Sequence, residues 1–428
     1  MSMLTPRPRR RSLLLGSAAA GASLALAGCG VGSRGGGSGD GELRATWWGG
    51  DSENSAINAA LDSFVEASGT PVARETQAWD GYWDRLATQT AGGNAPDLIM
   101  QAGSQIPDYA ERGTLLDMNA DGGLDVGEID EGLQEFGEVD GALYGVVAAS
   151  NAIGLVANAD LAEDAGVSLP EGEYSWDDLA ELVSTVPSAL GEDAWGLQDG
   201  GGDLILFIMS VRDGGQEFYS DDGALNATAE DLTAWFEFWD RLRADGVAPP
   251  ADVTAEGQGE LPNTPMAQGR AVLGFGWTQD YISYTRLTDA GLTLQLPPHV
   301  AATPSLWMNA ASLWSVSATS SDTSAAIDVI NHLTTDEAAI DALGVSLGMP
   351  PSAAARDRLS GTLSDEEQAA MDYMDLVAET STPLNRLWPA GFAELRILME
   401  DLNEAIAFGD MSIPEAVEQF FTTADGFA

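Results

Sequence analysis

Leu43-Arg-Ala-Thr-Trp-Trp48 runs into Gly49-Gly50; Ile57, Ala60, Leu61, Phe64 and Val65 then recur at helical spacing, and Pro71 to Glu75 reads as a second strand. A further helical pattern covers Asp80 to about Ala91, and Asn94-Ala-Pro-Asp97 leads into the apolar Leu98-Ile-Met100. Strand and helix alternate, the pattern of a parallel α/β layer. Open sheets of that kind take ligands at the carboxyl ends of their strands, so the turns after Trp48 and Met100 become candidate binding loops. The same reading predicts strands at Ile153–Ala157, after the small, polar Ala148-Ala-Ser-Asn151, at Ala271–Phe275 and at Leu313–Ser317. Ser175-Trp-Asp-Asp178 caps a helix. From about Asp322 the pattern is mostly helical, including Asp365 to Thr380 and Ala393 to Phe408, and no internal repeat is found.

The chain has 428 residues, enough for two or three domains. Its 44% hydrophobic and 20% charged residues place it among soluble globules. Acids number 67 against 18 bases, all of them Arg, for a net charge of −49. A nucleic-acid partner is therefore not expected. The field favours neutral or cationic ligands, although salt screens it beyond about 10 Å and a local Arg can override it inside a pocket.

Arg7-Pro-Arg-Arg-Arg11 precedes a run of small and apolar residues from Leu13 to Ala27, which reads as a signal peptide over residues 1–28. The run is shorter than the ~20 residues a membrane span needs. Arg10-Arg-Ser-Leu-Leu14 resembles a twin-arginine export motif, which implies folding before translocation. Leu26-Ala-Gly-Cys29 resembles the lipobox of bacterial lipoproteins, in which the cysteine becomes lipidated; general secretory and twin-arginine routes both stay open. Cys29 is the only cysteine, so intramolecular disulfides and Cys-based metal sites are excluded. Residues 29–42 follow as a Gly/Ser-rich tether.

The inventory fits catalysis poorly. His299 and His332 are the only histidines and show no ligand spacing, and both read as structural. With no Lys, a Walker lysine or a Schiff base is impossible, and Gly200-Gly-Gly202 is no phosphate loop. No cofactor and no metal are expected. Tryptophan is the richer signal, with 12 residues. Trp235 and Trp239, at i and i+4 with Leu232 and Leu242, read as core, and Trp83 and Trp176 as packing residues. Trp48, Trp79, Trp277 and Trp307 sit beside Gly or Pro instead, where indole faces can cover the C–H surface of a sugar ring. Asp51, Gln101, Asn151 and Asp280 stand at adjoining strand ends and can pair with hydroxyls.

Trp79-Asp-Gly-Tyr-Trp-Asp-Arg-Leu-Ala-Thr-Gln-Thr-Ala-Gly-Gly-Asn-Ala-Pro-Asp-Leu-Ile-Met100, then Tyr109-Ala-Glu-Arg-Gly113 and Leu115-Leu-Asp117, resemble the extracellular solute-binding proteins of carbohydrate ABC importers, the group that includes maltose-binding protein. Ala165-Gly-Val-Ser-Leu-Pro170, Gln268-Gly-Arg-Ala-Val-Leu-Gly-Phe-Gly-Trp277 and Gly348-Met-Pro-Pro351 add weaker echoes, and the likeness runs from about Leu43 to Ala424. It implies an α/β, two-lobed periplasmic-binding-protein fold of type II. Its discontinuous lobes, residues 43–149 plus about 310–345 and 150–309 plus about 346–428, would be joined by a hinge.

Carried over position by position, the resemblance places Trp48, Gly50, Asp51, Gln101, Ser104 and Asn151 at the ligand, with Trp277 stacking from the second lobe. It implies a sugar ligand, ABC permease transmembrane subunits as partners, a monomeric protein and a membrane attachment through Cys29. The chain departs from the family at Ala157-Asn158, where Tyr-Asn is common, and at Met100, Gln101 and Ala102, where aromatic or acidic residues are common. A secreted acidic glycoside hydrolase or lyase also needs Trp platforms and carboxylates. The same fold with a cationic solute such as a polyamine is a further alternative.

Overall fold

The computed structural model describes residues 42–426 apart from 127–128, 171, 192, 221–222, 301–304, 386–387 and 390. The signal peptide, Cys29 and the tether up to residue 41 lie outside the described residues. The strands are β1 (Leu43–Trp48), β2 (Val72–Gln77), β3 (Leu98–Gln101), β4 (Glu138–Val139), β5 (Ala142–Leu143), β6 (Val146–Asn151), β7 (Ile153–Asn158), β8 (Trp195–Leu197), β9 (Ala271–Trp277), β10 (Leu292–Gln295) and β11 (Asn309–Val316). They form a five-stranded sheet of order β2-β1-β3-β11-β6, a four-stranded sheet of order β10-β7-β9-β8, and the β4-β5 hairpin.

The first sheet is parallel across β2, β1 and β3, while β11 runs antiparallel to both β3 and β6. Helices cover both faces, so β3 is apolar on both sides and Leu98, Ile99 and Met100 are all buried. Helix Asp51–Ser68 starts ahead of its first apolar residue because Gly50 is its N-cap and Glu53 reaches back to accept the Gly50 N–H at 3.0 Å. Its buried stripe, Ile57, Ala60, Leu61 and Phe64, packs with Trp47, Trp314 and residues of helix Thr323–Thr335. Helix Trp79–Ala91 takes in Trp79 itself.

In the second sheet β9 is central, flanked antiparallel by β7 and parallel by β8. Trp235 and Trp239 on helix Ala229–Ala244 are core residues, as their spacing predicts, with Phe207 and Phe236 beside them. Helices Asp365–Thr380, Phe392–Phe408 and Ile413–Ala424 belong to this side, packing on β10 and on the helices around β9.

Ala148–Asn151, small and polar, carry no strand signal of their own. They are nevertheless the last four residues of β6, because small side chains suffice where a strand is buried beside β11. The chain leaves the first sheet at Asn151 and enters the second at Ile153. It returns between β10 and β11, and passes back again near Gly348-Met349 after helix Glu337–Leu343. Ser150 and Met349 exchange backbone hydrogen bonds of 2.7 and 2.8 Å there. Gly348 holds φ +124°, and a Cβ on it would come within 2.7 Å of the Ser150 carbonyl oxygen, so only glycine fits.

Candidate functional site

Strand direction decides which side chains share an edge. The carboxyl ends of β1, β2, β3 and β6 and the amino end of β11 lie together, which gathers Trp48, Gln77, Gln101, Asn151 and Asn309. In the second sheet the carboxyl ends of β8, β9 and β10 share an edge with the amino end of β7, and Trp277 pairs with Ile153. Only Ala152 separates Asn151 from Ile153, and its carbonyl accepts the Thr278 N–H at 3.1 Å. The two edges therefore meet at this junction. Asn309 Nδ2 donates to Asn151 Oδ1 at 2.8 Å, fixing the amide at the crossing.

On the first side, four aromatic rings form one cluster. Trp48 lies 5.0 Å from Trp79, 5.4 Å from Tyr82 and 5.5 Å from Trp83, mostly edge to face. Trp79, Tyr82 and Trp83 fall at i, i+3 and i+4 of one helix, which aims all three rings at the end of β1. Trp79 is 44% exposed and so presents an open indole face. Asp51 is exposed in the first turn of helix Asp51–Ser68, behind Gly50, and Ser104 lies half-buried in the turn before helix Ile106–Glu111.

Gln101 differs from all of these. It is 0% exposed, and neither its Nε2 nor its Oε1 has a hydrogen-bond partner. Strand alternation puts its side chain on the Ile99 face, with Tyr82, Ile106 and Tyr109. A buried amide with both functions unfilled costs about 1–3 kcal/mol per group.

On the second side, Trp277 is half-buried at the N-cap of helix Thr278–Leu287 and donates its N–H to Asp280 Oδ2 at 2.9 Å. Burial, reinforced by the nearby Asp203 charge, pushes the Asp280 carboxyl up to about 6 against that hydrogen bond. Next to this strand end lies a cavity of about 250 Å³. Its lining includes Gln198, Asp203, Phe275, Arg396, Glu400 and Asn403. Asp199 at its floor is tied to Arg243 Nε at 2.6 Å, and Arg243 also donates to Asn403. Burial raises the carboxyl groups of Asp203 and Glu400 too, more than the nearby Arg396 lowers them.

The structure thus brings Trp48, Gly50, Asp51, Trp79, Gln101, Ser104 and Asn151 to one edge and Trp277 and Asp280 to the other. Trp307 stands apart, 3% exposed, under the Arg212 guanidinium at 5.6 Å and against Trp388 at 5.9 Å. It lies between elements, as its Pro neighbour suggests, but its ring is buried, and Arg212 Nη1 beside it donates to the Ser305 carbonyl at 3.1 Å. Sequence reading also missed Gln198, Asp203, Arg396 and Glu400. Gln198-Asp-Gly-Gly-Gly-Asp203 was readable as a polar, glycine-rich turn after a short apolar strand, and Arg396 and Glu400 as an i, i+4 pair. Among the described residues no group of three or more His, Cys, Asp or Glu is placed to hold a metal ion, and no helix is long and apolar enough to cross a membrane.

Residues 59–376 match the family of bacterial extracellular solute-binding proteins, and the chain belongs to that family. Over 122 residues it is 32% identical to a lactose-binding protein of Rhizobium radiobacter, a match that spans 28% of each chain. An extracellular solute-binding protein family 1 structure from Alicyclobacillus acidocaldarius is 26% identical, with TM-score 0.68 over 90% of this chain and 98% of that one. A periplasmic oligogalacturonide binding protein from Yersinia enterocolitica, 22% identical, shares the fold with TM-score 0.78 over 90% and 98%.

Proposed function

We propose that this chain is the capturing lipoprotein of an ABC importer, which closes its two lobes over a mono- or oligosaccharide and delivers it to the permease transmembrane subunits. One observation carries the reading: two Trp-bearing, polar strand edges meet at Asn151–Ile153, with Trp48 and Gln101 on one sheet and Trp277 on the other. A solute held by both edges binds the closed arrangement better than the open one, and that differential affinity drives closure. Indole faces at Trp48, Trp79 and Trp277 suit the C–H faces of a pyranose, while Asp51, Gln101, Ser104, Asn151 and Asp280 suit its hydroxyls. The similarity to a lactose-binding protein supports a sugar. The lobes in this reading are residues 43–149 plus about 310–345 and 150–309 plus about 346–428.

The protein acts as a monomer outside the cytoplasm, held to the membrane by lipid on Cys29 after export by the general secretory or the twin-arginine route. Cys29→Ser is expected to release it from the membrane fraction with ligand affinity unchanged; retention through a detergent-sensitive attachment sinks the lipobox reading. Capture itself is tested by incubating the protein with its best-binding oligosaccharide, then measuring solution scattering and chromatographing the sugar. A smaller radius of gyration with intact sugar is expected. Cleavage at a rate proportional to protein would establish a hydrolase instead.

A further inference from the structure

The strand-end geometry and the cavity define the site, and the charges around it choose among ligands. Asp203 and Glu400 line the cavity of the second sheet, and Asp280 stands close enough to Asp203 to feel its charge. The lining carries three carboxylates, Asp199, Asp203 and Glu400, against one cation, Arg396. Arg243 beneath the floor does not add to it, being committed to Asp199 and Asn403. The other ionisable groups facing these acids supply no positive charge: Asp401 borders Glu400, and Tyr284, whose hydroxyl burial pushes up to about 12, borders Asp280.

We propose that the solute captured here is an amino sugar, or an oligomer of one, whose ammonium group sits between Asp203 and Glu400, and that sugars bearing carboxylates are turned away. This rests on the sugar-capture reading above and narrows it. An ammonium adds the second cation that the cavity lacks, and its hydrogen bonds to carboxylates are roughly twice as strong as those of a neutral hydroxyl. Trp277, whose backbone N–H already binds Asp280, adds a half-buried ring at the same strand end. The net charge of −49, with no lysine anywhere, steers cations toward the protein and anions away from it. A uronate would instead set a further carboxylate beside Asp203 and Glu400, whose charged forms burial already disfavours.

The test is calorimetry on matched triplets, the neutral, 2-amino and uronate forms of gluco, galacto and manno sugars and their disaccharides, with spermidine alongside. In at least one triplet the amino form should bind tenfold or more tighter than the neutral one, with the uronate weakest. At pH 6 its binding should release protons, seen by titrating in two buffers of different ionisation enthalpy, because the added cation draws the shared carboxylates to their charged forms. Glu400→Gln and Asp203→Asn should each cut the amino-over-neutral preference to within about threefold, with an unchanged circular dichroism spectrum and a cooperative melt reporting that the variant is folded. A neutral or uronate form binding tightest, no response to any amino form at millimolar concentration, or a preference unchanged in both variants overturns the proposal. A response to spermidine with none to any sugar overturns the sugar reading beneath it as well.

Discussion

Replacing Gln101 by Met should make the protein more stable and a poorer binder. Both amide functions are buried without partners, and at about 1–3 kcal/mol per orphaned group a near-isosteric apolar side chain relieves roughly 2 kcal/mol. For a chain of this size that is a rise of about 4 °C in melting temperature. If the ligand fills both functions when it binds, the variant loses two neutral hydrogen bonds of about 1 kcal/mol each, a weakening of about thirtyfold. Scanning calorimetry without ligand and titration calorimetry with it read the two effects separately. A Met variant that melts lower, or one that melts higher with unchanged affinity, would refute the idea that this amide is held unsatisfied for the ligand.

Three further outcomes follow from the site. Asp280, with a carboxyl held near about 6 against an ordinary 3.8, keeps its proton in the folded chain after the unfolded chain has lost it, so its contribution to stability is lost as pH rises from about 4 to 6. Asp280→Asn, which still accepts the Trp277 N–H, should therefore match the parent below pH 4 and gain melting temperature relative to it above pH 6; a difference independent of pH contradicts the burial argument. Trp277→Ala should weaken ligand binding by at least roughly tenfold with the circular dichroism spectrum intact, and unchanged calorimetric affinity would make Trp277 a packing residue. Gly348→Ala, strained at φ +124° and pressed on the Ser150 carbonyl, should cost about 2 kcal/mol in chemical denaturation, and a neutral result would mean the hinge return relaxes freely.

Local signals were legible where one element settles its own state. Apolar spacing, Gly49-Gly50 and the Ser175 cap gave β1, the first two helices and the start of helix Trp176–Val183 to within a few residues. Ala148–Asn151 escaped because a strand of Ala, Ser and Asn is held by its neighbours β11 and Met349 rather than by its own propensity. The first-sheet half of the site was readable because its residues follow strands directly. Arg396 and Glu400 were not, because they reach the cavity from a helix nearly two hundred residues beyond Gln198, and no local pattern encodes that approach. Trp307 shows the opposite limit: it lies between elements, as its Pro neighbour suggests, yet its ring is buried beside the distant Arg212.

The position of β11 bears on how the chain becomes a protein at all. This strand lies between β3 and β6, yet Leu313, which pairs with Gln101, is made more than two hundred residues after it, once every strand of the second sheet has been synthesised. Until then β3, apolar on both faces, and β6 are bare edges, which invite pairing with other chains. Such long-range closure is slow, because the loop entropy is spent before the contacts that offset it form. A nascent chain released before β11 would carry all four strands of the second sheet but an open first one, so the binding edge at Trp48 and Gln101 waits on a strand more than two hundred residues away.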